Sequence, residues 1–230
     1  MKFTKSLIKG SLINRYKRFF VDVKLNKKIV TAHCPNTGSM MGLLDEGNIV
    51  YISQNNNPKR KLKYTLEIIK VKKNLVGVNT HFANKIVYHG LLNNLIKEIS
   101  NNDKIKPEVF YDKETRFDFF IEKNNQKIFT EVKNVTMFRN LKIAEFPDSI
   151  TTRGSRHLKT LIDASKKGYK TYLLFLVQIQ GIESFKIAKD IDKEYYQNYL
   201  LAKKAGVVFL AYRCKISTKE IKIEKKIKIL

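Results

Sequence analysis

The hydrophobic period of the chain changes at Thr80, and that switch limits the folds open to it more than any other feature. Before it, short β-rich runs are cut by turn signals. Ser11–Leu25 carries Phe19-Phe20-Val21-Asp22-Val23, and Lys28–Cys34 follows. Asn48–Ser53 comes after the turn Asp45-Glu46-Gly47, then Leu62–Val71 and Leu75–Asn79. Five short, closely spaced strands predict a small closed barrel of the OB type over residues 1–80, although an SH3-like barrel would read much the same. After the switch, Ile86, Val87, Leu91, Leu92, Leu95, Ile96 and Ile99 recur at helical spacing, predicting a helix that runs up to the polar stretch Ser100-Asn101-Asn102-Asp103. Strands are then expected at Glu108–Tyr111, Arg116–Glu122 and Lys127–Val135. A helix over Thr152–Lys167, a buried strand over Lys170–Gln178, a helix over Asp192–Lys204 and a strand over Val207–Arg213 follow. Ile221, Ile223, Ile227 and Ile229, interleaved with Lys and Glu, alternate like an edge strand with a charged outer face; a nucleic-acid tail is the other reading. The expectation is therefore a mixed α+β chain of two domains, a five-stranded OB-like barrel in 1–80 and an α/β domain in 81–230.

Charge narrows the partner. Lys and Arg number 45 against 21 acids, a formal charge of +24. Residues 1–80 hold 16 basic and 4 acidic residues and 81–230 hold 29 and 17, so the same +12 is packed into about half the length in the first part. Lys outnumbers Arg 37 to 8, as compositional drift would give, but drift does not explain an excess of Lys over Glu. A polyanion, most simply nucleic acid, fits better, and a membrane surface is not expected because no strongly amphipathic basic helix stands out. No apolar run approaches the ~18–20 residues of a membrane helix, and no signal peptide is visible at the N-terminus. Cys34 and Cys214 have no metal-ligand or disulfide spacing, which fits a cytoplasmic protein.

The segment from Arg116 to Lys133 carries the chemistry. A two-residue turn at Asn124-Asn125, where Asn tolerates positive φ, sets Asp118 directly opposite Glu131. Lys133, two residues on, points to the same face as Glu131. Two facing carboxylates need a positive partner. Lys133 supplies part of it, and a hard divalent cation, Mg²⁺ or Mn²⁺, held by Asp118 and Glu131 would supply the rest. The competing interpretation is an ordinary cross-strand ion cluster on the surface. The apolar flanks Phe117, Phe119, Phe120, Ile128, Phe129 and Val132 argue for partial burial and hence for a site.

Downstream, Thr151 caps a helix on which Arg153, Arg156, His157 and Thr160 share one face, a phosphate-binding arrangement or a solvated face, with His157 a candidate catalytic residue beside Asp118, Glu131 and Lys133. Asp148 reads as a turn or cap residue that could also reach the site. In the first domain Arg15, Tyr16, Lys17 and Arg18 run into Phe19-Phe20 on a strand, and Lys59, Arg60 and Lys61 precede Lys63 and Tyr64. Basic residues interleaved with aromatics suit base stacking and backbone contact, while a core role for the rings with solvated lysines is the alternative. His33-Cys34 at the mouth of the turn Pro35-Asn36-Thr37-Gly38 is not a nucleophile pair, since neighbours on a strand face opposite ways. His81 and His89 carry no function on this reading.

Arg15-Tyr16-Lys17-Arg18-Phe19, His33-Cys34-Pro35-Asn36-Thr37-Gly38-Ser39-Met40, Gly77-Val78-Asn79-Thr80, Arg116-Phe117-Asp118-Phe119, Glu131-Val132-Lys133-Asn134-Val135-Thr136 and Phe146-Pro147-Asp148-Ser149 with Arg153-Gly154 and His157-Leu158, in that order, closely resemble the sugar fermentation stimulation protein A family. The resemblance implies an N-terminal OB-like domain, a C-terminal domain similar to PD-(D/E)xK nucleases, DNA binding, and a link to regulation of sugar, especially maltose, metabolism. By that likeness Asp118 is the first carboxylate of the motif and Glu131 and Lys133 its E-x-K, with Glu98 the only acid the preceding helix offers as an additional ligand. Three functions follow as expectations. One is a DNA-binding protein with a divalent-metal phosphodiesterase site, acting on linear, single-stranded or branched DNA. The others are a non-enzymatic DNA-binding regulator and an RNA-binding or RNA-processing protein.

Overall fold

The computed structural model describes residues 1–230. Its first part is a closed barrel. Strands β1 (Ile8–Tyr16), β2 (Phe20–Leu25), β3 (Lys28–His33), β4 (Ile49–Gln54) and β5 (Tyr64–Val71) lie in the order β3-β2-β1-β4-β5. A parallel pairing of Ala32 and His33 with Tyr64 and Thr65 joins β3 to β5 and closes the ring. A sixth strand, β6 (Asn74–Gly77), hydrogen-bonds along β5 outside the five-stranded ring. The apolar alternation explains the closure: Leu12, Val21, Val23, Ala32, Val50, Ile52, Leu66 and Ile69 all point inward and are fully buried.

The stretch Ser11–Leu25 is two strands, not one. Lys17 and Arg18 adopt φ of 46° and 62° and form the turn of a hairpin in which Tyr16 pairs with Phe20. Neither residue is a usual positive-φ type, which is why spacing does not reveal the turn. The Arg15 side chain holds the turn by donating from Nε to the Arg18 carbonyl at 3.0 Å.

The second part contains α1 (Ala83–Leu92), β7 (Lys104–Phe110), β8 (Arg116–Lys123), β9 (Gln126–Val135), β10 (Met137–Asn140), β11 (Ile143–Phe146), α2 (Thr152–Lys166), β12 (Lys170–Val177), β13 (Ser184–Ile187), α3 (Lys193–Lys204), β14 (Val208–Ile216), β15 (Ile221–Lys226) and β16 (Lys228–Ile229). Its large mixed sheet runs β15-β14-β12-β9-β8-β7, with β9, β12 and β14 mutually parallel. Helix α1 covers one face through Ala83, Ile86, Val87 and Leu91. Helices α2 and α3 cover the other through Leu158, Leu161, Tyr195 and Ala202. A second, four-stranded sheet, β10-β11-β13-β16, has no counterpart in the sequence-based expectation.

The expected first helix is also shorter. It ends at Leu92 because Asn94 takes φ of 54°, and the last apolar residues of the series belong to a turn and a 3-10 segment at Lys97–Ile99. Ile96 and Ile99 are still fully buried, so they keep the pattern without the helix. The strand expected at Glu108–Tyr111 begins at Lys104, and Glu108 takes φ of 54° without shifting the register of β7 on β8.

The two parts are packed together. One buried apolar cluster of 36 residues runs from Leu12 in the barrel to Phe185 beside α3. Gly77 N–H donates to the Gln178 carbonyl at 2.9 Å. The chain start crosses over as well: Ile221 N–H donates to the Met1 carbonyl and Phe3 N–H to the Lys219 carbonyl, both at 2.9 Å, so Met1–Phe3 lie against the rim of the second part. No helix is long and apolar enough to cross a membrane.

Candidate metal and nucleic-acid site

Asn124 and Asn125 take φ of 49° and 63°, the geometry of a tight hairpin turn. The register they impose pairs Lys123 with Gln126 and continues to Phe119 with Thr130. There β8 and β9 part, one step before Asp118 would meet Glu131. The Asp118 carboxylate bridges the split: Oδ2 accepts the Val132 backbone N–H and Oδ1 accepts Asn84 Nδ2 from α1, both at 2.7 Å. A side chain thus replaces a ladder bond, and the acid is fixed between a helix and a strand.

Glu131 points to the α2 face and is 3% exposed. Its Oε1 accepts Lys133 Nζ at 2.9 Å and bonds to His157 Nδ1. Arg153 Nε donates to His157 Nε2 at 3.3 Å, which leaves the ring proton on Nδ1, directed at Glu131. Oε2 of Glu131 is buried with no partner. Burial pushes the Asp118 carboxyl up to about 6, with the Glu131 charge adding to the effect and the Val132 N–H, the Asn84 amide and Lys133 opposing it. Burial would also raise Glu131, but Lys133 and His157 outweigh it and hold that carboxyl below its ordinary value. Two adjacent carboxylates with oppositely displaced affinities for protons are the mark of an arranged site.

Four acids in the chain are buried: Glu67, Glu131, Glu145 and Asp192. Ser53 and Asn79 satisfy Glu67, Arg139 and Lys186 satisfy Glu145, and the N–H groups of Thr151 and Tyr195 satisfy Asp192. Only Glu131 keeps a buried, unpartnered oxygen. The chemistry of the pair, two carboxylates with one oxygen unsatisfied, fits a hard divalent cation that takes few protein ligands and keeps water in its remaining positions. No group of three or more His, Cys, Asp or Glu side chains gathers to form a fuller cage. Glu98 adds nothing, because Tyr212 at 2.6 Å and Lys226 at 2.5 Å hold its two oxygens away from this site.

The basic residues separate into contacts within the fold and free groups. Arg15 is a clamp: its guanidinium donates to the carbonyls of Asn36 at 2.7 Å and Gly38 at 3.0 Å. Arg60 is half-buried and donates to Thr65 Oγ1 at 3.3 Å. Lys17 and Arg18 at the hairpin tip, Lys59 and Lys61 in the β4–β5 loop, and Arg156 on α2 are exposed and outside any salt bridge; Arg153 is exposed as well but spends its Nε on His157. Tyr16 is exposed and stacks on Phe20 with ring centroids 5.5 Å apart, and exposed Phe19 stacks on His33 at 6.5 Å.

Thr151 Oγ1 caps α2 by accepting the Gly154 N–H at 3.0 Å. Arg18 and the Asn36–Gly38 loop face Asn134, Thr136 and Thr151 across a polar cleft of about 350 Å³ between the two parts. Asp148 does not reach the carboxylates. It turns to the barrel, accepting Ser39 Oγ at 3.3 Å and Met40 N–H at 3.4 Å. Cys34 is buried and burial pushes its thiol up, which leaves it unsuited to act as a nucleophile. Two members of the site carry no sequence signal. Asn84 lies 34 residues from its partner. Tyr195 is a fully buried phenol with an unpartnered hydroxyl, raised well above its usual range by burial and then by the Glu131 charge.

The family model described as "Sugar fermentation stimulation protein RE domain" matches residues 81–220, and "SfsA N-terminal OB domain" matches residues 13–78. A sugar fermentation stimulation protein homolog of Pelagibacter ubique is 79% identical over 230 residues, covering 100% of this chain and 99% of its own. One from Alteromonas mediterranea is 45% identical over 229 residues, with 96% of each chain covered. Among solved structures, Pyrococcus furiosus SfsA in complex with Ca²⁺ superposes with a TM-score of 0.89 at 24% identity, over 100% of this chain and 98% of the other.

Proposed function

The chain belongs to the sugar fermentation stimulation protein family, and from that premise we propose that it binds DNA and hydrolyses its phosphodiester bonds with a divalent cation, Mg²⁺ or Mn²⁺, held by Asp118 and Glu131. The observation that carries this reading is the buried Glu131 oxygen, which alone among the buried acids lacks a partner. The Ca²⁺ with which the Pyrococcus furiosus protein was solved is in keeping with a cation in this fold. When bound, such an ion polarises a phosphate and lowers the pKa of its water.

The chain's own residues do the rest. Lys133 balances the charge of Glu131 and lies where it can hold an attacking water or offset negative charge growing on the phosphate. His157 fixes Glu131 in one orientation, and Arg153 fixes the tautomer of His157. The exposed side of Arg153, Arg156 and the free N–H groups at the start of α2 receive the flanking phosphates. Tyr16 and Phe19, beside Lys17 and Arg18 at the hairpin tip, offer stacking surfaces to unpaired bases of single-stranded or branched DNA.

Incubation of the protein with linear, single-stranded and branched DNA in Mg²⁺ or Mn²⁺ tests the reading. Cleavage that needs the metal and disappears in Glu131→Ala and Lys133→Met, with DNA binding retained, is expected. Intact substrates throughout, or equal cutting by Glu131→Ala, would overturn it. One observation favours a second reading, a non-catalytic DNA-binding regulator of sugar (maltose) metabolism genes. Both Asp118 oxygens and Glu131 Oε1 already have partners within the fold. That reading predicts salt-sensitive binding indifferent to EDTA. Matched RNA in the same assay separates an RNA-processing role.

A further inference from the structure

A pocket of about 560 Å³ opens where the N-terminal segment, the barrel and α1 meet, and no residue of the carboxylate site lines it. Its floor is Glu67, 3% exposed. This residue sits at the β-bulge where the pairing of β5 with β4 shifts between Tyr51 and Ile52. Ser53 Oγ donates to its Oε1 at 2.6 Å and Asn79 Nδ2 to its Oε2 at 2.8 Å. These two contacts lock the carboxyl plane while each oxygen keeps a second lone pair. The wall is aromatic: Phe3 meets Phe82 edge-on with ring centroids 6.1 Å apart, and Lys85 Nζ lies 5.9 Å from the Phe82 ring centre. Lys2, Lys5 and Lys85 on the rim are exposed and none is in a salt bridge.

These three features ask for one ligand with three parts. Unpaired ammonium groups on a shared rim call for a compact anion. Two aromatic rings call for a flat apolar face. An oriented carboxyl at the bottom calls for hydrogen-bond donors in the plane of that face. We propose that the pocket binds a nucleoside phosphate, with the phosphate on Lys2, Lys5 and Lys85, the base against Phe82 and Phe3, and an exocyclic amino group of the base donating to Glu67. Adenine, cytosine and guanine carry that amino group, whereas uracil presents only its N3–H between two carbonyl oxygens that a carboxylate repels, so the pocket discriminates against uridine phosphates. The ligand is either a free mononucleotide or the phosphorylated end of a strand. This site stands whether or not the protein cleaves DNA.

Calorimetric titration of the full-length protein in EDTA, which removes any contribution from divalent metal, tests it. AMP is expected to bind, UMP more weakly, and adenosine or inorganic phosphate at the same concentration not measurably. The charge reversal K5E/K85E, confined to exposed side chains, is expected to weaken AMP binding by at least about tenfold, and E67Q to remove the preference for AMP over UMP. A 5′-phosphorylated oligonucleotide that displaces AMP where its 5′-hydroxyl counterpart does not assigns the ligand to a strand end; failure of both to displace AMP assigns it to the free nucleotide. Equal binding of phosphate and AMP, no binding of AMP, or full AMP affinity in K5E/K85E would overturn the proposal.

Discussion

Replacing Asp118 by Asn is expected to stabilise the protein above pH 7, although it removes a residue of the candidate site. The Asp118 carboxyl is raised from 3.8 to about 6 by burial and the Glu131 charge. That difference corresponds to about 3 kcal/mol of free energy by which the folded state disfavours the ionised form. The sign follows from proton counts. Between the two values the folded state binds more protons than the unfolded one, so stability falls as pH rises through this window and is fully reduced above it. Asn carries no charge, can still accept the Val132 N–H, and can donate to Asn84 once that amide turns over, although these bonds are weaker than those of a carboxylate by about 1 kcal/mol. The net gain is about 2 kcal/mol at pH 8, or roughly 4–8 °C in melting temperature for a chain of this size. Towards pH 4 the gain vanishes, because the folded acid is then neutral and the remaining penalty is smaller than the cost of the weaker bonds in the variant. Thermal melts of both proteins in EDTA from pH 4 to 8 measure this. A variant less stable than wild type at pH 8, or a difference flat with pH, would refute the argument that Asp118 is held against its own charge.

Other consequences follow from the same contacts. Lys133→Met leaves Glu131 buried beside His157 without its ammonium partner, a loss of about 3 kcal/mol at pH 8 by chemical denaturation. Because Lys133 holds the Glu131 carboxyl below its ordinary value, that penalty shrinks as pH falls through the carboxylate range; a pH-independent loss contradicts the assignment. At Gly38 a Cβ would press into the Asp148 carboxylate, so Gly38→Ala is expected to push that side chain off Ser39 and Met40 and to destabilise the junction between barrel and sheet by about 1 kcal/mol. Adding Asp148→Ala should recover part of that loss, and independent, additive effects in the double-mutant cycle would count against the contact. Lys59→Ala with Lys61→Ala is expected to weaken DNA binding uniformly across sequences and to flatten the slope of log affinity against log salt by about one per lysine that meets a phosphate. An unchanged slope removes that loop from the interface.

What could be read in the sequence was local. The Asn124-Asn125 turn fixes the register as far as Phe119 with Thr130, and strand alternation sets Lys133 on the side of Glu131, where the two bond. The parting of the strands, which ties Asp118 to the Val132 N–H and Asn84 instead of setting it opposite Glu131, was not legible. The cap at Thr151 and the apolar stripe of α2 were equally visible, because a helix start is encoded within a few residues. Hidden features depend on contacts far apart in sequence or on unusual backbone. Lys17 and Arg18 form a turn without Gly or Asn because β-pairing and the Arg15 clamp hold them in it. Ile96 and Ile99 continue a helical period although the helix has ended, since burial against the sheet needs only their positions. Strands of four residues such as β10, β11 and β13 are too short to show a period. Asn84 and Asp148 act across the fold, on Asp118 and on Ser39 and Met40, and no spacing within one element could reveal that.

Crystals soaked in Mn²⁺ and measured at a wavelength where manganese scatters anomalously test the metal-site reading most directly. An anomalous peak bonded to one oxygen of Asp118 and to Oε2 of Glu131, absent in crystals of Glu131→Ala, is the predicted result. A saturating soak that leaves Glu131 Oε2 without a metal, with manganese bound elsewhere or nowhere, would contradict it.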